Sequence, residues 1–479
     1  MTRRVSGTAM AGAWHQVSRH RQNHRVPSPV REYIRSLDLD AYVVGGAVRD
    51  ELLGIDHSDE DFLVPGVDQG GLRAALAPHG RIEDMEVHGQ LVGVRFHPRD
   101  RGVARLTRAG IEITPPRAER STGPGHRDFE IVADPAVTVE EDMGRRDFTV
   151  NAMARRLSSG ELVDPFGGLS DLARRELRTV SSGSFREDPL RLLRGLRLVS
   201  QLGFRPAGET LTAMRLEAHG LRHVSAERIG GGAKADGLGE LSLLLLGHEP
   251  QRALLLARDT GVLEVVLPEF RHAIGYRLGT RRQPVPLEEH VFAVVQAAAD
   301  AGASLAVRLA ALLHDLGKPE ARRTGAAHAA ISAEATREVM LRLRYPVHLR
   351  RRVVAIVAGH AYQPERLLSP VEARRFLARH GRETAAELLD HKDADLRAKQ
   401  LPPGELEAHE RFRALVEAEV DSPTTLRELA VDGRDLIGIG YREGPALGRV
   451  LHALLAEVVD DPQLNERDTL LERARAELP

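Results

Sequence analysis

From about residue 186 almost to the C-terminus, the apolar residues of this chain recur with the spacing of amphipathic helices. Pro- and Gly-rich or polar stretches near 275–286, 361–370, 400–404 and 421–424 interrupt that pattern. The first part differs, because residues 41–64 contain an apolar run, a Gly-Gly turn, an amphipathic stretch and a second apolar run. This order predicts strand, turn, helix and strand, and hence a mixed α/β head followed by an all-helical remainder.

Further strand-like runs at 91–96, 110–114 and 129–132 belong to the predicted head, and residues 115–128 predict a flexible loop. A length of 479 residues suggests about three domains. We expect a basic disordered extension (1–30), an α/β head (31–182), a helical neck (183–275), a second helical domain (276–400) and a helical tail (401–479).

The composition excludes several classes of protein. Cysteine is absent, which excludes disulfide scaffolds, thiol nucleophiles and cysteine-ligated zinc, so a metal must bind His, Asp or Glu. The formal charge is −2, so contact with nucleic acid must come from local arginine clusters. Apolar residues make up 42%, and the longest leucine cluster, 241–246, is too short to span a bilayer. We expect neither a disordered chain nor a membrane protein.

Residues 1–31 contain six arginines and no acidic residue. That composition superficially resembles an organelle transit peptide, but no amphipathic apolar face supports this reading. We expect a disordered basic arm or an overlong start upstream of Met10. Since no secretory signal is present, we expect a cytoplasmic protein.

The glycine turn of the head predicts a phosphate site. Gly46 and Arg49 stand where a strand leads into a helix, so backbone N–H groups and a guanidinium could hold a polyphosphate. Asp59 and Asp61 follow, and on a strand they project to one face, where a divalent cation would offset their repulsion. The alternative is a solvated acidic turn. Glu112 is either a third carboxylate of this cluster or an exposed strand residue.

Two further segments suit a nucleotide. Arg146 and Asp147 could contact phosphate and ribose hydroxyls, or form only a surface ion pair. Asp188 lies at the start of a predicted helix. On that helix Arg191, Arg194 and Arg197 follow one another at a spacing of three residues and form a ridge of arginines. We interpret this ridge as facing a triphosphate, although helix capping alone would explain Asp188.

A second metal site is predicted where an apolar helix ends at His314 and Asp315. A lone His-Asp pair carries little information, but His290 lies 24 residues upstream of His314 and Asp395 lies downstream. His328 and His360 are further candidates, for a second metal or a leaving phosphate; a surface or core histidine is the alternative for each.

The head and neck motifs together resemble a known family. In order they read GGAVRD, DED, RRDFTVNAMA, DPFGGLSDL, EDPLRLLRGLR and ERIGGG, over residues 41 to about 270. They resemble the class II tRNA nucleotidyltransferases, which comprise the CCA-adding enzymes and related bacterial poly(A) polymerases. The resemblance implies a polymerase-β-like mixed sheet in the head. It implies that Asp59 and Asp61 bind two Mg²⁺ ions, that Gly46, Arg49, Arg146 and Asp147 contact the nucleotide, and that Asp188 and Arg191 select the base.

The H…HD…D order resembles the HD phosphohydrolase superfamily. That resemblance implies that His290, His314, Asp315 and Asp395 bind a divalent metal of unspecified identity. It also implies phosphatase and 2′,3′-cyclic phosphodiesterase activity in the 276–400 domain.

The expected function is template-independent addition of CCA to tRNA from CTP and ATP, with release of pyrophosphate. Cytosine and adenine each present an amino donor beside a ring acceptor, so a carboxylate with a guanidinium admits both and rejects uracil and guanine. The alternatives are a poly(A) polymerase, an enzyme that adds only CC or only A, a phosphohydrolase with a nucleotide-binding head, and a non-catalytic tRNA-binding protein.

Overall fold

The structure, a computed structural model, describes residues 28–56, 60–87, 90–121, 129–132, 135–232, 238–399 and 404–476. The described residues form two compact units. The first contains those up to Arg174 together with Thr179–Ser181, and the second contains Arg175–Arg178 and those from Ser182 onward. Most of the predicted basic extension, and Asp59, lie outside the described residues.

A seven-stranded mixed sheet organises the first unit. Its strands are β1 (Tyr42–Val44), β2 (Asp61–Leu63), β3 (Gly80–Val87), β4 (Gln90–Pro98), β5 (Ile111–Thr114), β8 (Ala154–Arg156) and β9 (Leu162–Val163). Across the sheet they lie in the order β3-β4-β5-β2-β1-β8-β9. Strand β1 runs antiparallel to both β2 and β8, whereas β2 and β5 are parallel. The predicted mixed α/β head is confirmed.

Several strands of the head differ from the sequence prediction. Strands β3, β8 and β9 were not predicted, and β3 pairs antiparallel with β4 along its whole length. The predicted loop at 115–128 is wrong at 118–121, because Ala118–Ser121 (β6) pairs antiparallel with Phe129–Val132 (β7). A hairpin of this kind depends on the partner strand rather than on the composition of either segment.

Six helices and a 3₁₀ turn complete the first unit. They are Pro29–Arg35, Gly46–Leu53, Gln69–Leu76, Arg101–Leu106, Val139–Gly144, Gly168–Arg174 and the turn Thr149–Asn151. Helix Val139–Gly144 begins with a capping box, in which the Thr138 side chain accepts from Glu141 N–H and the Glu141 carboxylate accepts from Thr138 N–H. Its Val139 and Met143 pack against Val44 and Leu63, so it covers the central strands beside the glycine turn.

The described part of the second unit is helical except for a short parallel pair, β10 (Glu176–Leu177) and β11 (Arg205–Pro206). Its α-helices are Ser184–Glu187, Leu190–Leu202, Gly208–Glu217, Ala226–Ile229, Glu240–Leu245, Pro250–Asp259, Val262–Val266, Leu287–Asp300, Leu305–Leu313, Lys318–Thr324, His328–Arg342, Val347–Gly359, Pro370–His380, Arg382–Arg397, Glu405–Ala418, Gly433–Gly438, Pro445–Asp460 and Arg467–Ala476. Its 3₁₀ turns are Ala218–His223, Pro268–His272, Pro364–Arg366, Leu426–Glu428 and Pro462–Leu464. The predicted helical remainder is therefore confirmed.

Local signals in the sequence account for several helix ends in this unit. Ser304 caps helix Leu305–Leu313 by accepting from Val307 N–H, and His314 occupies the opposite cap. The C-terminal helices enclose a small core of their own around Leu436, Leu454 and Leu470. Within the described segments, every helix is too short or too polar to cross a membrane.

Candidate functional site

The glycine turn between β1 and helix Gly46–Leu53 brings an arginine against the backbone. Gly45 has φ of 73°, and a Cβ placed on it would lie 2.6 Å from Nη1 of Arg146. Both the left-handed conformation and this close approach require glycine. Burial lowers the pKa of the Arg146 guanidinium, an effect that the nearby Asp142 opposes. The buried Arg146 guanidinium therefore places a positive charge directly against the glycine turn.

Arg49 and Asp147 belong to one hydrogen-bond network in the first unit. Arg49 Nη1 donates to Asn151 Oδ1 at 2.6 Å, and Asn151 Nδ2 donates to Asp147 Oδ1 at 3.0 Å. Asp147 Oδ1 also accepts from the backbone N–H of Phe148. The structure thus brings together the residues predicted from the two separate motifs of the head.

The sequence prediction missed Asp142, which pairs with Arg145 and with Arg146, the arginine at the glycine turn. Its fully buried carboxylate pairs with Arg145 at 2.7 Å and with Arg146 at 3.2 Å. Burial alone would raise the pKa of Asp142, but these two guanidinium groups lower it. The signal in the sequence was its position three and four residues before the arginines, on one helix face.

The sheet places two of the predicted carboxylates side by side. Asp61 is the first residue of β2, and it is in register with Glu112 on the parallel strand β5, so both side chains project from one face. Asp61 also raises the pKa of Arg146 through its charge. Glu112 Oε1 accepts from Arg95 Nη2 at 2.7 Å and is about half exposed.

Asp188 and Arg191 lie in the second unit. Asp188 Oδ1 accepts from Leu190 N–H at 3.1 Å, two residues before helix Leu190–Leu202 begins, so this carboxylate contacts the first backbone N–H of the helix. Arg191 is buried and its Nη1 donates to Ser184 Oγ at 2.9 Å. These contacts do not test whether Asp188 and Arg191 select the base, so that role stays a prediction.

The three arginines of the predicted ridge lie on one helix, and each faces a carboxylate. Arg197 pairs with Glu240 at 3.1 Å, and Arg194 lies 4.0 Å from the same residue, whereas Arg191 turns toward Glu187. Helical spacing placed the three on one helix, but it contained no information about the carboxylate that faces them from helix Glu240–Leu245. The nucleotide contact of Arg194 stays a prediction.

The second predicted site is assembled from three helices. His290 lies on helix Leu287–Asp300, His314 and Asp315 follow helix Leu305–Leu313, and Asp395 lies on helix Arg382–Arg397. All four side chains are almost completely buried. His290 Nε2 is 3.2 Å from Asp395 Oδ1, and His314 Nε2 is 3.1 Å from Asp315 Oδ2 and 3.8 Å from Asp395 Oδ1. The structure brings the H…HD…D set together.

His328 and His360 lie on the other side of Asp315. Their Nε2 atoms are 3.1 Å apart, and each is 3.8 Å from Asp315 Oδ1. The two oxygens of Asp315 therefore face two different groups of ligand atoms: His290, His314 and Asp395 in one case and His328 and His360 in the other.

A fifth histidine, His391, was missed by sequence reasoning. Its ring is fully buried, and its centroid lies 4.9 Å from that of His314 and 5.7 Å from that of His360. Neither ring nitrogen has a hydrogen-bond partner among the described residues. The available signal was its position four residues before Asp395, on the same helix face.

The chemistry of this cluster fits a divalent metal. The Nε2 atoms of His290 and His314 and Asp395 Oδ1 are buried and make no hydrogen bond within the described residues, although buried polar atoms normally have partners. Burial lowers the pKa of His290 and lowers that of His360 to about 3, so these imidazoles are neutral at pH 7. Burial would raise the pKa of Asp315, but His314 and Lys318 hold it well below its usual range. Neutral imidazoles and ionised carboxylates are the forms that bind metals.

Three segments of the chain match known protein families. The family described as Poly A polymerase head domain matches residues 41–178. The family described as probable RNA and SrmB-binding site of polymerase A matches 203–274, and the HD domain family matches 287–399. These segments fall within the predicted head, neck and second helical domain.

The chain is also similar over most of its length to whole proteins of one kind. The chain is 37% identical to the Multifunctional CCA protein of Aromatoleum aromaticum, over 71% of this chain and 79% of that protein. It is 32% identical to the Multifunctional CCA protein of Thioalkalivibrio sulfidiphilus, over 87% of this chain and 96% of that protein. The crystal structure of the Bacillus stearothermophilus CCA-adding enzyme in complex with CTP superposes with a TM-score of 0.65 and 27% identity, over 93% of this chain and 96% of that one. The Thermotoga maritima CCA-adding enzyme complexed with tRNA shares the fold at a TM-score of 0.58 and 20% identity, over 93% of both chains.

Proposed function

The chain belongs to the family of multifunctional CCA proteins and CCA-adding enzymes, and from that premise we propose that it adds CCA to the 3′ end of tRNA, using CTP and ATP. It is a tRNA nucleotidyltransferase that carries an HD domain. The observation that carries the proposal is the pair of arginines at the glycine turn, Arg49 and Arg146, together with the carboxylates Asp61 and Glu112 side by side on the sheet. Since the substrate is tRNA, we place the activity in the cytoplasm.

The arginines and the amide network of the head bind the nucleotide in this proposal. Arg146 and Arg49 hold triphosphate oxygens, because guanidinium groups form strong charge-assisted hydrogen bonds with phosphate. The Asp147 carboxylate accepts hydrogen bonds from ribose hydroxyls, and the Asn151 amide donates to them. Gly46 begins the helix beside these residues, and a Cβ placed on it would lie 3.4 Å from Nη2 of Arg49, so the Arg49 guanidinium lies next to the backbone of the turn.

The carboxylates at the strand ends provide oxygen ligands for Mg²⁺. Asp61 and Glu112 lie side by side on one sheet face, which suits a cation that prefers carboxylate oxygens, and Asp59 is the third proposed ligand. Two Mg²⁺ ions bound there would favour deprotonation of the tRNA 3′-hydroxyl and neutralise the leaving pyrophosphate. The head then needs no covalent intermediate.

Base selection is assigned to Asp188 and Arg191. A carboxylate that accepts from the exocyclic amino group, with a guanidinium that donates to the adjacent ring nitrogen, admits cytosine and adenine alike. The Asp188 side chain is 34% exposed, and its Oδ2 lies 3.5 Å from Arg228 Nη2, which supports this role because a carboxylate oxygen at this distance remains accessible to a base.

The nucleotide specificity is tested by extending tRNA that lacks its 3′ CCA. Purified protein with Mg²⁺ receives CTP alone, ATP alone or both, and the products are resolved to single nucleotides. We expect two additions with CTP and a third only when ATP is also present. A long ladder with ATP alone would identify a poly(A) polymerase, and CC without A would identify a partial enzyme.

For the HD domain we propose metal-dependent hydrolysis of phosphoesters, including 2′,3′-cyclic phosphates. His290, His314, Asp315 and Asp395 would hold one divalent ion, and Asp315 with His328 and His360 would hold another. A divalent ion bound there would supply an activated water as nucleophile. What supports the proposal is the set of buried ligand atoms that converge without hydrogen-bond partners.

Hydrolysis is tested with a 2′,3′-cyclic nucleotide and with a 3′-phosphorylated oligonucleotide, after metal-free protein is loaded with Mg²⁺, Mn²⁺, Co²⁺, Ni²⁺ or Zn²⁺ in turn. We expect product with at least one of these metals and none after chelation. His290→Ala should abolish this product and leave CCA addition intact, which separates the two activities in one chain. Hydrolysis that survives both chelation and His290→Ala would place the activity elsewhere.

A further inference from the structure

Lysine is rare in this chain, and its distribution is uneven. The sequence contains 67 lysines and arginines, of which only four, at positions 234, 318, 392 and 399, are lysines. Lys318, Lys392 and Lys399 all lie at the HD centre. Lys234 lies outside the described residues. Three of the four lysines of the sequence therefore lie at this one centre.

The three ammonium groups converge on the two carboxylates of the centre. Lys318 Nζ lies 2.6 Å from Asp315 Oδ2, and Lys399 Nζ donates to Asp395 Oδ2 at 2.5 Å. Lys392 Nζ lies 3.9 Å from the same Asp395 oxygen and 4.9 Å from the centroid of the Tyr362 ring. Lys392 is only 7% exposed, so its charge is directed inward rather than into solvent.

Gln283 extends this group of donors. Its side chain is 3% exposed, and its Oε1 accepts from Lys318 Nζ at 3.1 Å. Its Nε2 is buried and has no hydrogen-bond partner within the described part of the chain. A buried amide N–H₂ without an acceptor is unfavourable, and a bound anion would supply the missing acceptor.

The charges of the centre call for an anionic ligand. Three ammonium groups face two carboxylates, so positive charge is in excess even before a divalent ion adds more. An ammonium is a compact charge with three donors, so it can contact a carboxylate and a second anion together, whereas a planar guanidinium directs its donors in a fixed fork. This difference explains why arginine has not taken these three positions.

We propose that Lys318, Lys392 and Lys399, with the amide of Gln283, form the phosphate-binding pocket of the HD centre. The proposal rests on the hydrolase activity proposed above and specifies its substrate as a phosphate monoester or cyclic phosphodiester. The ammonium groups and the amide bind non-bridging phosphate oxygens, while the histidines and aspartates hold metal. Inorganic phosphate, the product from a monoester, occupies the same pocket.

The test uses the full chain and inorganic phosphate as the probe. Calorimetry measures phosphate binding to metal-free and metal-loaded protein, and elemental analysis measures metal per chain. We expect Lys399→Arg and Gln283→Leu each to weaken phosphate binding about tenfold or more in both forms, with unchanged metal content. Arg397→Lys is the matched control, because this exposed residue of the Lys399 helix pairs with Asp393 instead, and its affinity should not change.

The outcomes separate this inference from the proposed function. Unchanged phosphate affinity in both variants would overturn the pocket, and so would a loss of metal in parallel with phosphate, since the lysines would then only position the carboxylates. If the wild-type chain binds no metal, the proposed hydrolase fails, while phosphate binding to the metal-free chain still decides the pocket. Gln283→Leu keeps all three lysines, so it remains informative if Lys399→Arg does not fold.

Discussion

The head and the HD centre differ in how far their carboxylates are exposed and in which residues supply the positive charge around them. In the head, the carboxylate Glu112 is 41% exposed, and arginines linked to Asn151 and Asp142 supply the positive charge. In the HD centre, Asp315 and Asp395 are no more than 3% exposed, and histidines and lysines surround them. An exposed site can exchange a large polyanion at each cycle, whereas a buried one is preorganised for a metal that stays bound. The site of nucleotide transfer and the site of the proposed hydrolysis therefore differ in burial as well as in residue type.

The largest effect is expected from Asp61→Asn. Loss of this proposed Mg²⁺ ligand should lower CCA addition by roughly three orders of magnitude, because ligand charge at the metal contributes several kcal/mol to the transition state. Stability should change little, since the side chain is exposed. Single-turnover extension of tRNA measures the effect, with the exposed Glu86→Gln on β3 as control. Full activity in Asp61→Asn would exclude this face of the sheet as the catalytic one.

Asp315→Asn should have the next largest effect, on the HD centre. Because the two oxygens of Asp315 face separate ligand groups, its loss should remove both proposed metals, whereas His328→Ala should remove only one. Hydrolysis of a cyclic phosphate should fall in Asp315→Asn to the level of the chelated protein, because a divalent ion supplies the activated water. Elemental analysis gives the metal count and CCA addition serves as the internal control. Equal metal loss in the two variants would show that the ligands form a single site.

Buried neutral histidines should make the metal-free second unit sensitive to acid. Burial, followed by His314, lowers the pKa of His360 to about 3, and burial, followed by Arg413, lowers that of His409 to about 4. The unfolded chain binds these protons near pH 6.5, so stability is retained above that pH and lost as pH falls from there toward 3 to 4. Each histidine should cost about 1.4 kcal/mol per pH unit in this window.

Urea unfolding of metal-free protein at pH 7 and pH 5 measures that loss. The variant His409→Leu removes one of the two histidines without touching the metal ligands, so its stability should depend less steeply on pH. An identical slope in the variant and the wild type would mean that His409 titrates normally in the folded chain.

Sequence reasoning predicted those parts of the two sites that local pattern determines. The glycine turn, the helices that carry His290 and His314, and the Asp61 strand all follow from spacing and residue type, and the structure has each of them. Contacts between distant segments were not predictable in this way. His391 and the lysines become informative only when the Arg382–Arg397 helix packs against the others, and Glu240 faces the arginines from a helix more than forty residues away. Family resemblance supplied roles for residues, but not their partners.

The smallest effect is expected from a contact that the sequence did not reveal. Glu60, between Asp59 and Asp61, is buried, and it accepts from Arg31 Nε at 2.6 Å and from Ser28 Oγ at 2.8 Å. Because this contact fixes the residue next to Asp61, Arg31→Met should lower kcat for CCA addition about fivefold, with KM for CTP unchanged. The double variant Arg31→Met with Glu60→Leu should regain part of the lost stability, since it removes the buried carboxylate left without its arginine. Arg35→Met, at an exposed position of the same helix, is the control. A rise in KM without a change in kcat would instead assign Arg31 to nucleotide binding and would bring the N-terminal helix into the exposed site of the head.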